Sequence, residues 1–169
     1  MTQDLLASVD GRCRGLIDFS TLPAMQNIVI TYSLESDPST FTKRTDPILW
    51  LVSRLKTFQP HNRLENLKVC IIPDCCEIYD PATHGNAVSE NAWRNLDQIL
   101  SDSPRFKSFK KVTIELLSVN GRKENGELVD DLESLREILD GNLPKMRRAG
   151  LLEFELHEYD TEVRNISHH

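Results

Sequence analysis

The chain has little that would staple it, anchor it or charge it strongly. Its 169 residues include four cysteines, Cys13, Cys70, Cys75 and Cys76, two of them adjacent. That spacing is a poor disulfide framework for a chain of this length, so reduced thiols are expected. No run of eighteen apolar residues occurs, which argues against a membrane-spanning helix. The first residues, Met1-Thr2-Gln3-Asp4-Leu5-Leu6-Ala7, lack the charged start and apolar core of a secretory signal. A cytoplasmic or nuclear protein is the expectation, and the sequon Asn165-Ile166-Ser167 would then be out of reach of glycosylation. Positive charge is not in excess either: 26 acidic residues against 20 basic ones give a net charge of -6. Neither nucleic acid nor a membrane is the expected partner.

Catalytic and cofactor motifs are also missing. Cys70, Cys75, Cys76 and His84 contain no Cys-x-x-Cys pair, and adjacent cysteines chelate one zinc ion poorly. Asp74 and Glu77 flank the Cys75-Cys76 pair with the wrong charge to activate a thiolate. Gly121 to Gly126 has the interval of a P-loop's two glycines, but Glu127-Leu128 follows where Lys and Ser or Thr must bind phosphate and magnesium. His157-Glu158 lacks the second histidine of a zincin, and no Gly-x-Ser-x-Gly phrase occurs. No catalytic residue, metal or cofactor is assigned, and the chain is not expected to be an enzyme.

What is present is an ordinary globular composition, 39% apolar and 27% charged, in a length that suits one domain. One frame, apolar-x-x-apolar-x-apolar-x-apolar, recurs four times at a spacing of about 40 residues. It reads Met25, Ile28, Ile30, Tyr32; Leu64, Leu67, Val69, Ile71; Phe109, Val112, Ile114, Leu116; and Ala149, Leu152, Phe154, Leu156. The last three positions of each alternate as a strand does.

Helix signals fill the gaps. Asp46-Pro47 offers a cap and a proline for the first turn ahead of Ile48, Leu51, Val52, Leu55 and Phe58. Ser89 caps a stripe of Ala92, Trp93, Leu96, Ile99 and Leu100. In the third gap Leu128, Leu132, Leu135, Ile138 and Leu139 line one face, with Asp140-Gly141 as the stop. A short turn then starts at Pro144 and ends at Gly150. Trp93 belongs to its helix's apolar stripe, while Trp50 is displaced from its own by roughly 200 degrees relative to Ile48 and is expected to cover a neighbouring loop.

Strands separated by crossover helices are parallel with right-handed connections. The intervening strand positions are mostly polar: Thr31, Lys68, Thr113, Glu115, Glu153, Glu155 and His157, with Val29, Cys70, Ile72 and Leu117 as apolar exceptions. A doubly wound sheet, covered on both faces, would show continuous apolar runs instead. The expected fold class is α/β: an irregular leucine-rich-repeat-like βα solenoid of about four parallel strands in sequential order, with helices on one face. A flavodoxin-like sheet is the alternative. Residues 1–21 would form an N-terminal cap or arm across the edge of the first strand, 22–158 the four repeats, and 159–169 a flexible tail. The 73–88 stretch, rich in Pro, Asp, Gly and Asn, reads as a surface loop, and in the alternative fold it would carry the site of a small α/β enzyme.

Phrases such as Ala92-Trp93-Arg94-Asn95-Leu96-Asp97-Gln98-Ile99-Leu100, followed by Phe106-Lys107-Ser108-Phe109-Lys110-Lys111-Val112-Thr113-Ile114, resemble a known group, as does Leu143-Pro144 with Gly150-Leu151-Leu152 after it. They are similar to the C-terminal repeat region of F-box-like proteins of mushroom-forming fungi, over roughly residues 22 to 158. The resemblance implies a leucine-rich-repeat horseshoe that presents a bound protein to a ubiquitin ligase. Leu22-Pro23-Ala24-Met25 leads into a strand where an F-box would open on a Leu-Pro-x-Glu-like phrase, so a ligase scaffold is not an expected partner. A free-standing receptor domain, a fragment and a non-functional truncated gene product remain as alternatives.

If the strands are parallel and in register, equivalent positions form ladders: Val29, Lys68, Thr113, Glu153; Thr31, Cys70, Glu115, Glu155; and Ser33, Ile72, Leu117, His157. Glu115 beside Glu155 is mildly unfavourable unless water, His157 or a basic partner compensates. The expected protein-binding surface therefore comprises Thr31, Lys68, Thr113, Glu115, Glu153, Glu155 and His157 on the concave sheet of the solenoid. The basic clusters Arg105, Lys107, Lys110, Lys111 and Lys145, Arg147, Arg148 have no interleaved stacking aromatics beyond Phe106 and Phe109, which the core needs, and read as solvated turns.

Overall fold

The computed structural model describes residues 3–8, 19–22, 24–35, 46–74, 89–102, 104–118 and 132–158. Cys13, Cys75, Cys76, His84, Gly121, Gly126, Leu128, Asn165, most of the 73–88 loop and the 159–169 tail lie outside them. In chain order the elements are β1 (Gln3–Ser8), β2 (Met25–Glu35), α1 (Pro47–Leu55), β3 (Asn66–Asp74), α2 (Glu90–Asp102), β4 (Lys111–Ser118), α3 (Leu132–Asn142), α4 (Pro144–Arg148) and β5 (Leu152–Glu158). One sheet holds all five strands in the order β1-β2-β3-β4-β5, and every neighbouring pair is parallel.

The class is α/β with a parallel sheet in sequence order, and the described residues form five strands where about four were expected. The added strand comes from the N-terminal stretch anticipated as an arm, which lies along the edge of β2 by pairing with it from Gln3↔Met25 to Ser8↔Thr31. Gln-Asp-Leu-Leu-Ala-Ser contains no β-branched or aromatic residue and does not carry the repeat frame. Its strand character comes from the open edge it meets, not from local preference.

The helices begin where their caps predict. Asp46 Oδ1 accepts from Ile48 N at 2.7 Å and Leu49 N at 3.2 Å, with Pro47 in the first turn of α1. Ser89 Oγ accepts from Ala92 N at 3.4 Å ahead of α2. The expected stop at Asp140-Gly141 does not occur: α3 runs through Gly141 to Asn142. Leu143, fully buried, then passes the chain into α4. Gly150 has φ +69°, the left-handed turn that favours glycine, and Leu151 N returns to Met146 O at 2.9 Å before β5.

All described helices bury their apolar stripes in one cluster with one parity of strand side chains: Ile28, Ile30, Tyr32, Leu67, Val69, Ile71, Val112, Ile114 and Leu116. The described helices therefore cover one face of the sheet. Each aliphatic side chain removed from water there contributes about 1.5–3 kcal/mol. On β5 the equivalent residues, Leu152, Phe154 and Leu156, are only partly buried, as suits the last strand of the sheet.

Two features tie successive units together. Phe19, Phe58 and Phe106, each in the turn ahead of a strand, form a lateral column with ring centroids 5.0 Å and 5.9 Å apart. Trp50 is buried and meets Phe19 edge-on at 6.4 Å, the expected cover of a neighbouring loop. Asp97, 3% exposed on α2, accepts from the backbone of Lys145 at 3.1 Å and of Met146 at 2.8 Å, and so caps α4 from another helix. Asn62, also buried, bridges Gln59 O (2.9 Å) and Arg105 O (2.8 Å) across the turns before β3 and β4.

Candidate functional site

The second parity of strand positions forms the other face of the sheet. Its rows are in the register expected: Val29↔Lys68, Lys68↔Thr113 and Thr113↔Glu153, then Thr31↔Cys70, Cys70↔Glu115 and Glu115↔Glu155. Leu117↔His157 and Ser33↔Ile72 continue the face. All seven candidate binding residues therefore share it. Alternation along each strand puts them there, and equal repeat spacing brings them side by side.

Four of the seven converge. Lys68 Nζ lies 3.0 Å from Glu115 Oε1 and 3.0 Å from Glu155 Oε2, a single ammonium bridging both carboxylates. His157 Nε2 stands 3.8 Å from Glu115 Oε1 and 3.9 Å from Glu155 Oε2. On the far side of Glu115, the thiol of Cys70 donates to Oε2 at 2.9 Å. Thr31 hydrogen-bonds to Cys70, so it joins the network at one remove. Thr113 sits in the row between Lys68 and Glu153, and Glu153 pairs instead with Lys111.

The charge state follows from this geometry. Partial burial pulls the Lys68 pKa down, but the hydrogen bonds and charges of Glu155 and Glu115 outweigh it, and the ammonium titrates above the ordinary lysine value. The hydrogen bond from Lys68 holds the Glu155 carboxyl below the usual carboxylate range against partial desolvation, with the positive charge of Lys68 adding to it. Burial, then the hydrogen bond and charge of Glu115, push the Cys70 thiol up to about 12. Cys70 is thus a neutral donor and not a nucleophile at physiological pH.

The centre of this face is shielded from water: Cys70 and Thr113 are buried, and the Glu115 side chain is only 16% exposed. The Glu115–Glu155 pair is compensated from inside the chain, by Lys68. That residue lies two positions before Cys70 on β3, and its long side chain reaches diagonally to both carboxylates. The pairing of Glu153 with Lys111, a residue assigned to a solvated turn, was not foreseen.

Much of both basic clusters is engaged within the chain. Arg105 donates to Lys56 O at 2.6 Å, Lys110 pairs with Glu65 at 2.6 Å, and Lys145 pairs with Asp102. Arg147 meets Asp140 at 2.5 Å and Arg148 donates to Pro144 O. At the β5 edge an open groove of about 580 Å³ lies beside α3 and α4, where Arg136 stacks 5.6 Å above the Phe154 ring. Its charges also pair locally, Arg136 with Glu133 at 3.3 Å. Among the described residues no helix is long and apolar enough to cross a membrane.

No protein-family model, curated protein or solved structure matches this chain.

Proposed function

We propose that the chain is a protein-interaction module of the leucine-rich-repeat type, a short βα solenoid whose partner contacts the polar sheet face. The observation that carries this reading is the arrangement of that face: parallel strands in unbroken sequence order, with every described helix on the opposite side. Support also comes from the repeated phenylalanine ahead of β2, β3 and β4, which stacks unit on unit as a repeat array requires. Among the described strands the order never reverses, so they form no switch point of the kind at which doubly wound enzymes bind ligands. With the Lys68 ammonium already offsetting one of the two carboxylate charges, the partner's complement is a mixed polar surface and not a strongly basic one.

The test uses photo-crosslinking side chains at Glu153 and His157, exposed on the polar face, and at Arg94 and Glu133, exposed on helices. The expected result is one discrete protein adduct from the first two positions, lost when Glu153→Lys is added to the His157 crosslinker. Equal adducts from the helix positions would overturn the reading. Reversing Glu115 and Glu155 is a poorer test, because it would set two more ammonium groups against Lys68 and disturb the sheet itself.

A further inference from the structure

Within the polar face lies a set of metal-ligating atoms whose chemistry goes beyond protein docking. One carboxylate oxygen each from Glu115 and Glu155 and one imidazole nitrogen of His157 all lie within 4.8 Å of one another. The imidazole nitrogen is 3.8 Å and 3.9 Å from its two carboxylate neighbours. Ligand atoms bonded to a tetrahedral zinc at about 2.0–2.1 Å stand about 3.3 Å apart, so the imidazole must close by about half an ångström and the two carboxylate oxygens, which lie within 4.8 Å of each other, by up to about 1.5 Å.

Glu115 is oriented for this. The Cys70 thiol holds its Oε2, which leaves Oε1 as the oxygen aimed into the group, in the way outer hydrogen bonds orient ligating carboxylates. The position between the carboxylates also suits a cation, since Lys68 Nζ sits 3.0 Å from each. An ammonium neutralises only one of the two charges and leaves the imidazole with no part. A divalent ion would neutralise both and bond the imidazole. The Lys68 side chain is 35% exposed on a flexible stem, so its ammonium can swing into water.

We propose that Glu115, Glu155 and His157 form a three-ligand site for a zinc-type divalent ion, which competes with the Lys68 ammonium for the same position. Three protein ligands leave a fourth position to water. Calcium and magnesium are disfavoured, because they need six or more oxygens and take no imidazole from this set.

The test is calorimetric titration of the chelator-treated full chain with zinc chloride. Lys68→Met is expected to bind one zinc about tenfold more tightly than the unmodified protein, and His157→Ala to weaken binding by about tenfold or more. Cobalt(II) should show visible absorption that Glu155→Gln abolishes, and magnesium should not displace it. Zinc bound equally well by His157→Ala, no tightening in Lys68→Met, or no binding by either protein would overturn the proposal. Zinc held by Cys75, Cys76, His84 or the terminal histidines would be indifferent to these substitutions. Thermal melts in chelator check that each variant folds, and His157, 54% exposed, decides the matter even if Lys68→Met does not.

Discussion

The two faces of this sheet are built from the same strands, one residue out of phase, and they are held by different physics. On the helix side, Ile30, Val69 and Ile114 are fully buried and meet Leu51, Leu96 and Leu139 in a cluster that excludes water. On the other side, burial falls off across a single row, from Cys70 through Glu115 to Glu155, with His157 exposed beyond it. The first face answers to volume and shape. The second answers to charge, so pH and salt, which barely touch the first, should act on it. Neighbouring residues of one strand can thus belong to separate energetic regimes.

The sharpest way to break that contrast is to cut into the helix side. Trp93→Ala empties a fully buried site and should cost about 3–5 kcal/mol in urea unfolding, with no dependence on salt. Next comes Asp97→Ala, which strands two backbone donors of α4 and should cost about 2 kcal/mol. On the polar side, Lys68→Met leaves Glu115 and Glu155 facing each other. Because the ammonium is partly exposed and screened, the loss should be only about 1 kcal/mol, shrinking further in molar salt. A larger loss for Lys68→Met than for Trp93→Ala would erase the distinction between the faces.

The faces also differ in pH dependence. The Cys70 pKa is raised, so its contribution is complete below the unfolded thiol's value of about 8.5 and is lost as pH climbs towards the folded value of about 12. Lys68, also raised, acts in the same direction from about pH 10.4 upward. Glu155 is lowered, so its share is present above about pH 4.3 and lost in acid. Thermal melts should show stability declining above about pH 8.5, less steeply in Cys70→Ala. Identical alkaline slopes would remove Cys70 from the network.

Much of this could be read from the sequence, for definite reasons. Ile28, Ile30 and Tyr32 alternate, and their counterparts recur at nearly equal spacing, which defines both the strands and the row Thr31, Cys70, Glu115, Glu155. Asp46-Pro47 and Pro144 with Gly150 are local signals for local structure. What escaped depends on distance. Gln3–Ser8 becomes a strand only against the β2 edge, Asp97 is buried only because α4 docks beside it, and Lys68 finds Glu155 two strands away by a diagonal no pattern encodes. The compensation of the acidic pair was therefore invisible, although every residue of the row was correctly aligned.

The bond from Asp97 to α4 has a consequence for how the molecule opens. A five-residue helix on its own frays freely, so its amides should exchange with solvent almost unprotected. Held by a buried carboxylate of α2, Lys145 and Met146 can release their amide protons only when that helix lets go. Their hydrogen exchange should report the opening of α2, and the two units should breathe as one.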